Sequence, residues 1–258
     1  TLVSTTLTTL TTLTTLTTLT TLITLTTGRL AMRNAYEKTQ GCTGFTVVHV
    51  NDLASVESAA YLLKYDSVHG AWDEEITGKS EGEAAITIGG QSVRYTQSSS
   101  IEATDWSAVD MVIECTGKFK SQQLLAPYFT QGVKKVIVSA PVKDGTLNIV
   151  MGVNDNKYDD QAIVTAASCT TNCLAPVVDV LQKTFGIEHG AITTIHDITN
   201  TQSILDEYHS DLRRSRASGM SLIPTSTGSA TAITEIFPEL KGRINGLAVR
   251  VPLANASL

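Results

Sequence analysis

The sequence predicts an α/β fold in two domains, over residues 28–167 and 168–258. Two short apolar runs at 110–115 and 135–139, each bounded by turn signals, enclose a helical stretch at 121–130. Strand, helix and strand in this order are typical of a parallel sheet. A second helix followed by a strand is expected after Cys169, where small hydroxyl residues give way to helix-spaced apolar ones.

The N-terminal segment before these domains is a low-complexity repeat. Residues 5–22 are six copies of Thr-Thr-Leu, and the repeat continues to residue 27 without a charged residue. A period of three matches neither a helix nor a strand, so the favoured interpretation is a segment without stable structure or a translated repeat of doubtful origin. Threonine is β-branched, so one strand added to a sheet is the alternative.

The first domain continues the alternation of helices and strands. Residues 28–36 are expected to form its first helix, and residues 46–52 a buried strand that ends in Asp52. A carboxylate in this position suits the hydroxyl groups of an adenine ribose, although an ordinary strand-end turn residue is the other interpretation. Thr116 and Gly117 follow the strand at 110–115, in the crevice where parallel sheets hold ligands, although a plain strand-to-helix turn is the other interpretation.

The second domain contains a candidate nucleophile and a candidate base. Cys169 is expected to open a helix whose positive end favours a thiolate, and Cys173 falls one turn later, facing inward. A strand at 190–195 ends at His196. A free cysteine is commonly a small buried core residue, and a lone histidine is more often structural than catalytic. The position of Cys169 at a helix start favours the catalytic interpretation.

Basic and hydroxyl residues cluster downstream of His196. Arg213, Arg214 and Arg216 precede the loop Thr225-Ser-Thr-Gly228, and Arg250 follows later in the chain. Guanidinium groups with fixed N–H and hydroxyl donors suit phosphate oxygens. A charge run is usually a solvated basic face, but the neighbouring loop of donors favours an anion site.

The composition restricts the class of protein. A chain of 258 residues, 42% of them hydrophobic, can bury a sizeable core. Its formal charge of -6 offers no general attraction for nucleic acid or an anionic membrane. No secretory signal or long apolar run is present. A cytoplasmic location is therefore expected, with a plastid as the alternative because of the hydroxyl-rich leader. The cysteines lack the paired spacing of a zinc site, so we expect reduced thiols and no metal; they are Cys42, Cys115, Cys169 and Cys173.

Several blocks in a fixed order carry a family resemblance. They are KYDSVHG (64–70), ECTGKF (114–119), VIVSAPVKDG (136–145), ASCTTNCLAP (167–176), DLRRSRASGMSLIPTSTGSA (211–230) and PELKGRINGLAVRVP (238–252). From residue 28 onward the chain resembles the phosphorylating glyceraldehyde-3-phosphate dehydrogenases. The run HDITNTQ at 196–202 further resembles the subgroup associated with arsenate resistance.

The resemblance implies a Rossmann-like domain that binds NAD, followed by an α+β catalytic domain with a mixed or antiparallel sheet. Gly28 stands at the third glycine of the dinucleotide-binding loop and Arg29 follows it, which leaves Ile23 and Leu25 at the first two glycine positions. Their side chains are expected to obstruct the pyrophosphate. Tyr208 replaces a common proline, so NADP stays an alternative. The other implied cofactor-binding residues are Asp52, Thr116, Gly117 and Ser139.

The resemblance also implies a reaction. Cys169 attacks glyceraldehyde 3-phosphate, His196 serves as the base, and inorganic phosphate or arsenate cleaves the resulting thioester to yield 1,3-bisphosphoglycerate or its arsenate analogue. Thr199 and Arg250 would hold the C3 phosphate of the substrate. The implied assembly is a homotetramer. The residues implied for the attacking phosphate are Ser168, Thr170, Arg214, Thr227 and Gly228.

Two alternatives to an active dehydrogenase stay open. The chain begins without methionine and ends inside an expected strand, so we expect an incomplete copy of the family. An inactive fragment, or a non-enzymatic remnant that binds anions or nucleotides, is then the competing hypothesis. Erythrose-4-phosphate dehydrogenases share the run Tyr-His-x-Asp-Leu-Arg-Arg found at 208–214, but they lack the TSTG loop, which favours the triose substrate.

Overall fold

The computed structural model describes residues 18–22, 26–39 and 46–258. The chain divides into two compact units. The first holds the described residues up to Met151 together with Asp155–Ala167, and the second holds Gly152–Asn154 and Ser168–Leu258. No helix among the described residues combines the length and the apolar composition needed to cross a membrane.

The first unit is built on one large sheet. Its helices are α1 (Thr26–Thr39), α2 (Val56–Lys64) and α3 (Gln122–Thr130). Its strands are β1 (Thr18–Leu22), β2 (Thr46–Asn51), β3 (Tyr65–Asp66), β4 (Gly70–Ala71), β5 (Ile76–Lys79), β6 (Ala85–Ile88), β7 (Gln91–Thr96), β8 (Met111–Glu114), β9 (Lys135–Val138), β10 (Leu147–Asn148) and β11 (Ile163–Thr165). Nine strands of the described chain form this sheet, in the order β10-β11-β9-β8-β1-β2-β7-β6-β5.

The middle of the sheet is parallel, as the strand–helix–strand pattern predicts. β1 pairs in parallel with β2 on one side and with β8 on the other, and β9 and β11 continue the parallel order. Within the described sheet, only β5, β6 and β7 pair with each other antiparallel. The predicted α/β class and its Rossmann-like first domain are confirmed.

The repeat contributes the central strand of this sheet. Thr18–Leu22 form β1, and Leu19 is paired with Val47 of β2 and with Met111 of β8. The favoured interpretation of the repeat, a segment without stable structure, is therefore wrong for these five residues. Hydrogen bonds from two neighbouring strands stabilise the extended backbone, which the three-residue period does not reveal. Helix α1 then begins at Thr26, two residues before the predicted start at Gly28.

Two apolar clusters cover the sheet from opposite faces. Met111 and Ile113 of β8 belong to one cluster, which also holds Met32 of α1. Val112, between them in sequence, belongs to the other cluster with Leu125 of α3. Consecutive side chains of a strand point to opposite faces, so β8 is buried on both sides. The continuous apolar run at 110–115 reflects this environment.

The second unit pairs a small mixed sheet with two helices. They are α4 (Cys169–Thr184) and α5 (Ser229–Ile236), and the strands are β12 (Gly190–His196), β13 (Ile223–Ser226) and β14 (Ile244–Arg250). β14 lies in the middle, parallel to β12 and antiparallel to β13. Helix α5 packs against β14 and α4, with Ile233 buried. The parallel register aligns His196 with Arg250 at the ends of their strands.

Candidate active site

Cys169 occupies the first position of helix α4. Ser168 caps the helix, because its hydroxyl accepts a hydrogen bond from the Thr171 N–H at 3.1 Å. Ala167 precedes the cap with a φ of 54°, in the left-handed region that non-glycine residues seldom adopt. The helix start thus presents the Cys169 thiol at the positive end of the macrodipole, as the sequence predicts.

His196 lies beside the thiol. Its Nε2 is 3.1 Å from Cys169 Sγ, and the ring is buried at the end of β12. The contact with His196 lowers the pKa of the Cys169 thiol, against a smaller opposing effect from the partial desolvation of this exposed residue. The same contact raises the pKa of His196, again against burial. These shifts favour a thiolate–imidazolium pair, the activated form of a cysteine nucleophile.

The other ring nitrogen of His196 meets three polar atoms. Arg250 Nη1 lies 2.7 Å from Nδ1, the Asp197 carbonyl oxygen 2.9 Å, and the Asp197 carboxylate Oδ1 2.6 Å. Arginine has donors only, so in the neutral ring the Arg250 contact needs a lone pair on Nδ1, with the ring proton on Nε2. In the imidazolium, the Nδ1 proton points to an oxygen of Asp197. No motif in the sequence pointed to a role for Asp197.

Two arginines form a positive region around this site. Arg214 donates from Nε to Thr225 Oγ1 at 3.0 Å and from Nη1 to Thr201 Oγ1 at 3.3 Å. Burial and the nearby charge of Arg214 both lower the pKa of Arg250. Arg250 Nε is buried with no hydrogen-bond partner among the described residues. A buried donor without an acceptor, next to a second guanidinium, suits an anion.

Hydrogen bonds connect some of the residues predicted to bind phosphate, but not all of them. Thr199 Oγ1 lies 2.9 Å from Thr201 Oγ1, the hydroxyl that also accepts from Arg214. Thr227 instead accepts from the N–H of Ser229 within its own turn, and Gly228 caps helix α5 without a side-chain bond. The roles of these residues in binding phosphate stay predictions.

Three hydroxyl groups lie close together near the first turn of helix α4. Ser257 Oγ is 2.7 Å from Thr194 Oγ1 and 3.5 Å from Thr170 Oγ1. The Ser257 carbonyl accepts from Cys173 Sγ at 3.3 Å, and Cys173 is exposed. The expectation that Cys173 faces inward is therefore wrong, because helix α4 directs Thr170 and Thr171 inward instead. No local pattern in the sequence points to Ser257.

The first unit contains a cavity at the carboxyl ends of β2 and β8. The empty space there, which includes space open to solvent, is about 380 Å³. Asp52 itself is buried directly after β2, and its carboxylate accepts from the Ala54 N–H at 3.1 Å. Ser139 follows β9, and its N–H donates to the Glu114 carbonyl at 2.9 Å. The lining residues include Asn51, Leu53, Thr116, Lys118, Phe119 and Tyr128.

A buried carboxylate supports one wall of this cavity. Glu114 accepts from the Thr116 N–H at 2.7 Å and from the Tyr128 hydroxyl at 2.9 Å. Gly117 then adopts a φ of 69°, which a glycine tolerates without strain. Burial raises the pKa of Glu114, whereas its two hydrogen-bond partners lower it. Glu114 lies in a predicted strand and opens the block ECTGKF, but neither feature assigned a function to its carboxylate.

The start of helix α1 fits a phosphate group. Gly28 is buried in the first turn, and Arg29 donates from Nη2 to Thr26 Oγ1 at 3.1 Å. The Nε of Arg29 is buried and has no partner among the described residues. An unsatisfied N–H beside a helix N-terminus suits the pyrophosphate of NAD. Ile23 and Leu25, expected to obstruct it, lie outside the described residues.

The described part of the chain contains no group of histidine, cysteine and carboxylate side chains arranged to hold a metal ion.

Comparisons with known proteins agree with the two-unit architecture. Residues 26–122 match the family model "Glyceraldehyde 3-phosphate dehydrogenase, NAD binding domain", and residues 168–258 match the C-terminal domain of the same enzyme. The chain is 53% identical to glyceraldehyde-3-phosphate dehydrogenase 3 of Nostoc sp. (strain PCC 7120 / SAG 25.82 / UTEX 2576) over 236 residues, which cover 90% of the chain and 68% of that relative. It is 45% identical to the glyceraldehyde-3-phosphate dehydrogenase of Geobacillus stearothermophilus over 235 residues, which cover 90% of the chain and 69% of that relative. The chain belongs to the glyceraldehyde-3-phosphate dehydrogenase family.

Proposed function

We propose that this chain oxidises glyceraldehyde 3-phosphate with NAD and transfers the acyl group to inorganic phosphate through a thioester on Cys169. The observation that carries the proposal is the 3.1 Å contact between Cys169 Sγ and His196 Nε2 at the start of helix α4. The lowered pKa of the thiol and the raised pKa of the imidazole support it. Family membership supplies the substrate class.

The thiolate of Cys169 adds to the aldehyde carbon and forms a carbon–sulfur bond. His196 gives its proton to the carbonyl oxygen, which becomes the hydroxyl of a hemithioacetal. The imidazole then takes that proton back while the carbon is oxidised to the thioester. NAD, when bound, supplies the electron-pair acceptor for this oxidation. Phosphate finally attacks the thioester carbon, the carbon–sulfur bond breaks, and the thiolate is regenerated.

The arginines and hydroxyls orient the two anions in this proposal. Arg250 and Thr199 hold the C3 phosphate, and Arg214 with Ser168, Thr170, Thr227 and Gly228 holds the attacking phosphate. The unpartnered Nε of Arg250 and its proximity to Arg214 support an anion at this place. In the first unit, the residues that hold NAD are Gly28, Arg29, Asp52, Thr116, Gly117 and Ser139.

Thiol reactivity tests the activated cysteine separately from turnover. Iodoacetamide is uncharged, so its reaction rate reports the thiolate rather than an anion site. At about pH 6, where an ordinary thiol is protonated, we expect Cys169 to be alkylated faster than Cys173, which is also exposed but has no histidine contact in the described structure. Equal rates at the two positions would contradict the proposal.

Turnover tests the complete reaction. The chain is mixed with glyceraldehyde 3-phosphate, NAD and phosphate, and NADH is followed by absorbance. Cys169→Ser is expected to abolish the signal, and His196→Asn to lower kcat by about 10²–10⁴ fold. Binding of NAD is measured separately by its effect on the melting temperature. Activity that survives Cys169→Ser would rule out the thioester.

Arsenate is isosteric with phosphate and is proposed to replace it in the last step. Turnover with arsenate in place of phosphate tests this, and a requirement for phosphate would refute it. The homotetramer and the cytoplasmic location implied by the resemblance stay predictions.

A further inference from the structure

A carboxylate and a guanidinium meet at the same nitrogen of His196. Asp197 Oδ1 lies 2.6 Å from Nδ1, and Arg250 Nη1 lies 2.7 Å from it. The Asp197 side chain is 19% exposed and the His196 side chain 4%, so little water separates these charges. Charges at nearly equal distances from one atom, and of opposite sign, largely cancel there.

Without the carboxylate, Arg250 alone would oppose the protonation of His196. A like charge within hydrogen-bond distance disfavours the charged form of a titrating group, and burial acts in the same direction. Yet the proposed chemistry requires His196 to carry a proton toward Cys169 and to release it again. The Asp197 backbone carbonyl raises the pKa of His196 through its contact with Nδ1, and the charged group of opposite sign to Arg250 at this nitrogen is the Asp197 carboxylate.

We propose that Asp197 is a positioning residue whose carboxylate balances the Arg250 guanidinium at Nδ1 and keeps His196 able to hold a proton. The inference rests on the proposed function, because His196 matters only as the partner of Cys169. The carboxylate acts by charge rather than by a hydrogen bond, since the carbonyl oxygen of the same residue already takes the Nδ1 direction at 2.9 Å.

Other charged or titratable groups face His196 from the neighbouring elements. Cys169 faces Nε2 from helix α4, and Arg250 faces Nδ1 from β14. The charge of Arg214 acts on Arg250 and therefore adds to the positive side of the balance. Cys173 directs its thiol at the Ser257 carbonyl. Among these groups of the described chain, only Asp197 supplies negative charge at Nδ1.

The test is the pKa of His196 measured by an NMR pH titration of the chain. The matched variants are Asp197→Asn, which keeps the backbone carbonyl and the side-chain shape, and Glu188→Gln, which removes an exposed carboxylate of the same unit. His196→Gln identifies the resonance among those of the five histidines. Each protein is titrated twice, with Cys169 free and with Cys169 capped by iodoacetamide.

Asp197→Asn is expected to lower the pKa of His196 by about one unit or more in both forms, as removal of an opposite charge does, whereas Glu188→Gln leaves it in place. An unchanged pKa in Asp197→Asn overturns the inference. A melting temperature that falls without a pKa shift also overturns it, since that result describes a merely structural residue. Capping Cys169 tests the proposed function instead. If capping leaves the pKa of His196 unchanged, the Cys169–His196 pair fails, and the Asp197 result stands on its own.

Discussion

The buried Glu114–Tyr128 contact gives a pH-dependent prediction for stability. The Tyr128 hydroxyl donates to Glu114 Oε2 at 2.9 Å, and both residues are about 1% exposed. Tyr128→Phe removes this donor and keeps the ring that packs edge-on against Trp106. A hydrogen bond to an ionised group contributes about 1.5–3 kcal/mol and one between neutral groups about 0.5–1.5 kcal/mol. The cost of the variant therefore depends on the ionisation of Glu114.

The sign follows from the raised pKa of Glu114. An acid whose pKa is raised in the folded state stabilises the fold at low pH and loses that contribution as the pH rises through the folded pKa. The Tyr128 hydroxyl lowers this pKa, so removing it raises the folded pKa further. The free energy of unfolding of Tyr128→Phe should then fall more steeply with rising pH than that of the parent. We expect a loss of about 1 kcal/mol at low pH and about 2 kcal/mol once Glu114 is ionised.

Urea unfolding between about pH 5 and pH 9 measures the effect. Tyr95→Phe is the matched control, because its buried hydroxyl donates to the uncharged Ala54 carbonyl at 2.7 Å. The control variant should lose about 1 kcal/mol of its free energy of unfolding, and this loss should not depend on pH. Parallel pH profiles for Tyr128→Phe and Tyr95→Phe would refute the assignment of Glu114 as the titrating partner.

Two further predictions concern a close approach and a helix cap. A Cβ at Gly78 would lie 2.6 Å from the Val56 carbonyl oxygen, so Gly78→Ala should lower the free energy of unfolding by about 1–3 kcal/mol in urea titrations. Gly219→Ala is the control, because no atom lies near its Cβ position and its free energy of unfolding should change little. Equal losses in the two variants would argue against the clash. Ser168→Ala removes the cap that accepts from the Thr171 N–H, and it should lower the free energy of unfolding by about 1 kcal/mol. Ser168→Asp should restore this stability, because aspartate is also a good helix cap. If thermal unfolding shows Ser168→Asp to be no more stable than Ser168→Ala, the cap does not stabilise α4.

Much of the secondary structure could be predicted because it depends on neighbouring residues. The runs that became β8 and β9 are apolar and bounded by turns, and α4 begins at Cys169 directly after a serine that caps it. The family was identified correctly from its motifs, since long blocks in a fixed order are specific. The inward orientation expected for Cys173 was wrong, because one turn of helix does not determine which face a neighbouring strand covers.

The surroundings of the candidate site could not be predicted in this way. Arg250 reaches His196 across 54 residues of sequence, and Ser257 reaches Cys173 across 84. Asp197 adjoins His196 in the chain, but successive residues of a strand point to opposite faces. Its carboxylate can contact the ring because β12 ends at His196, so Asp197 is no longer bound by the alternation of the strand.

Apolar periodicity, capping and motif order are local properties, and they were enough to predict the α/β class, the family and the helix start that carries Cys169. That Thr18–Leu22 form a central strand follows only from the folded chain, since the hydrogen bonds that hold this strand come from β2 and β8. It also decided the electrostatic environment of His196. That environment depends on charges which β14 and the end of β12 bring to 2.7 Å and 2.6 Å from a single nitrogen atom.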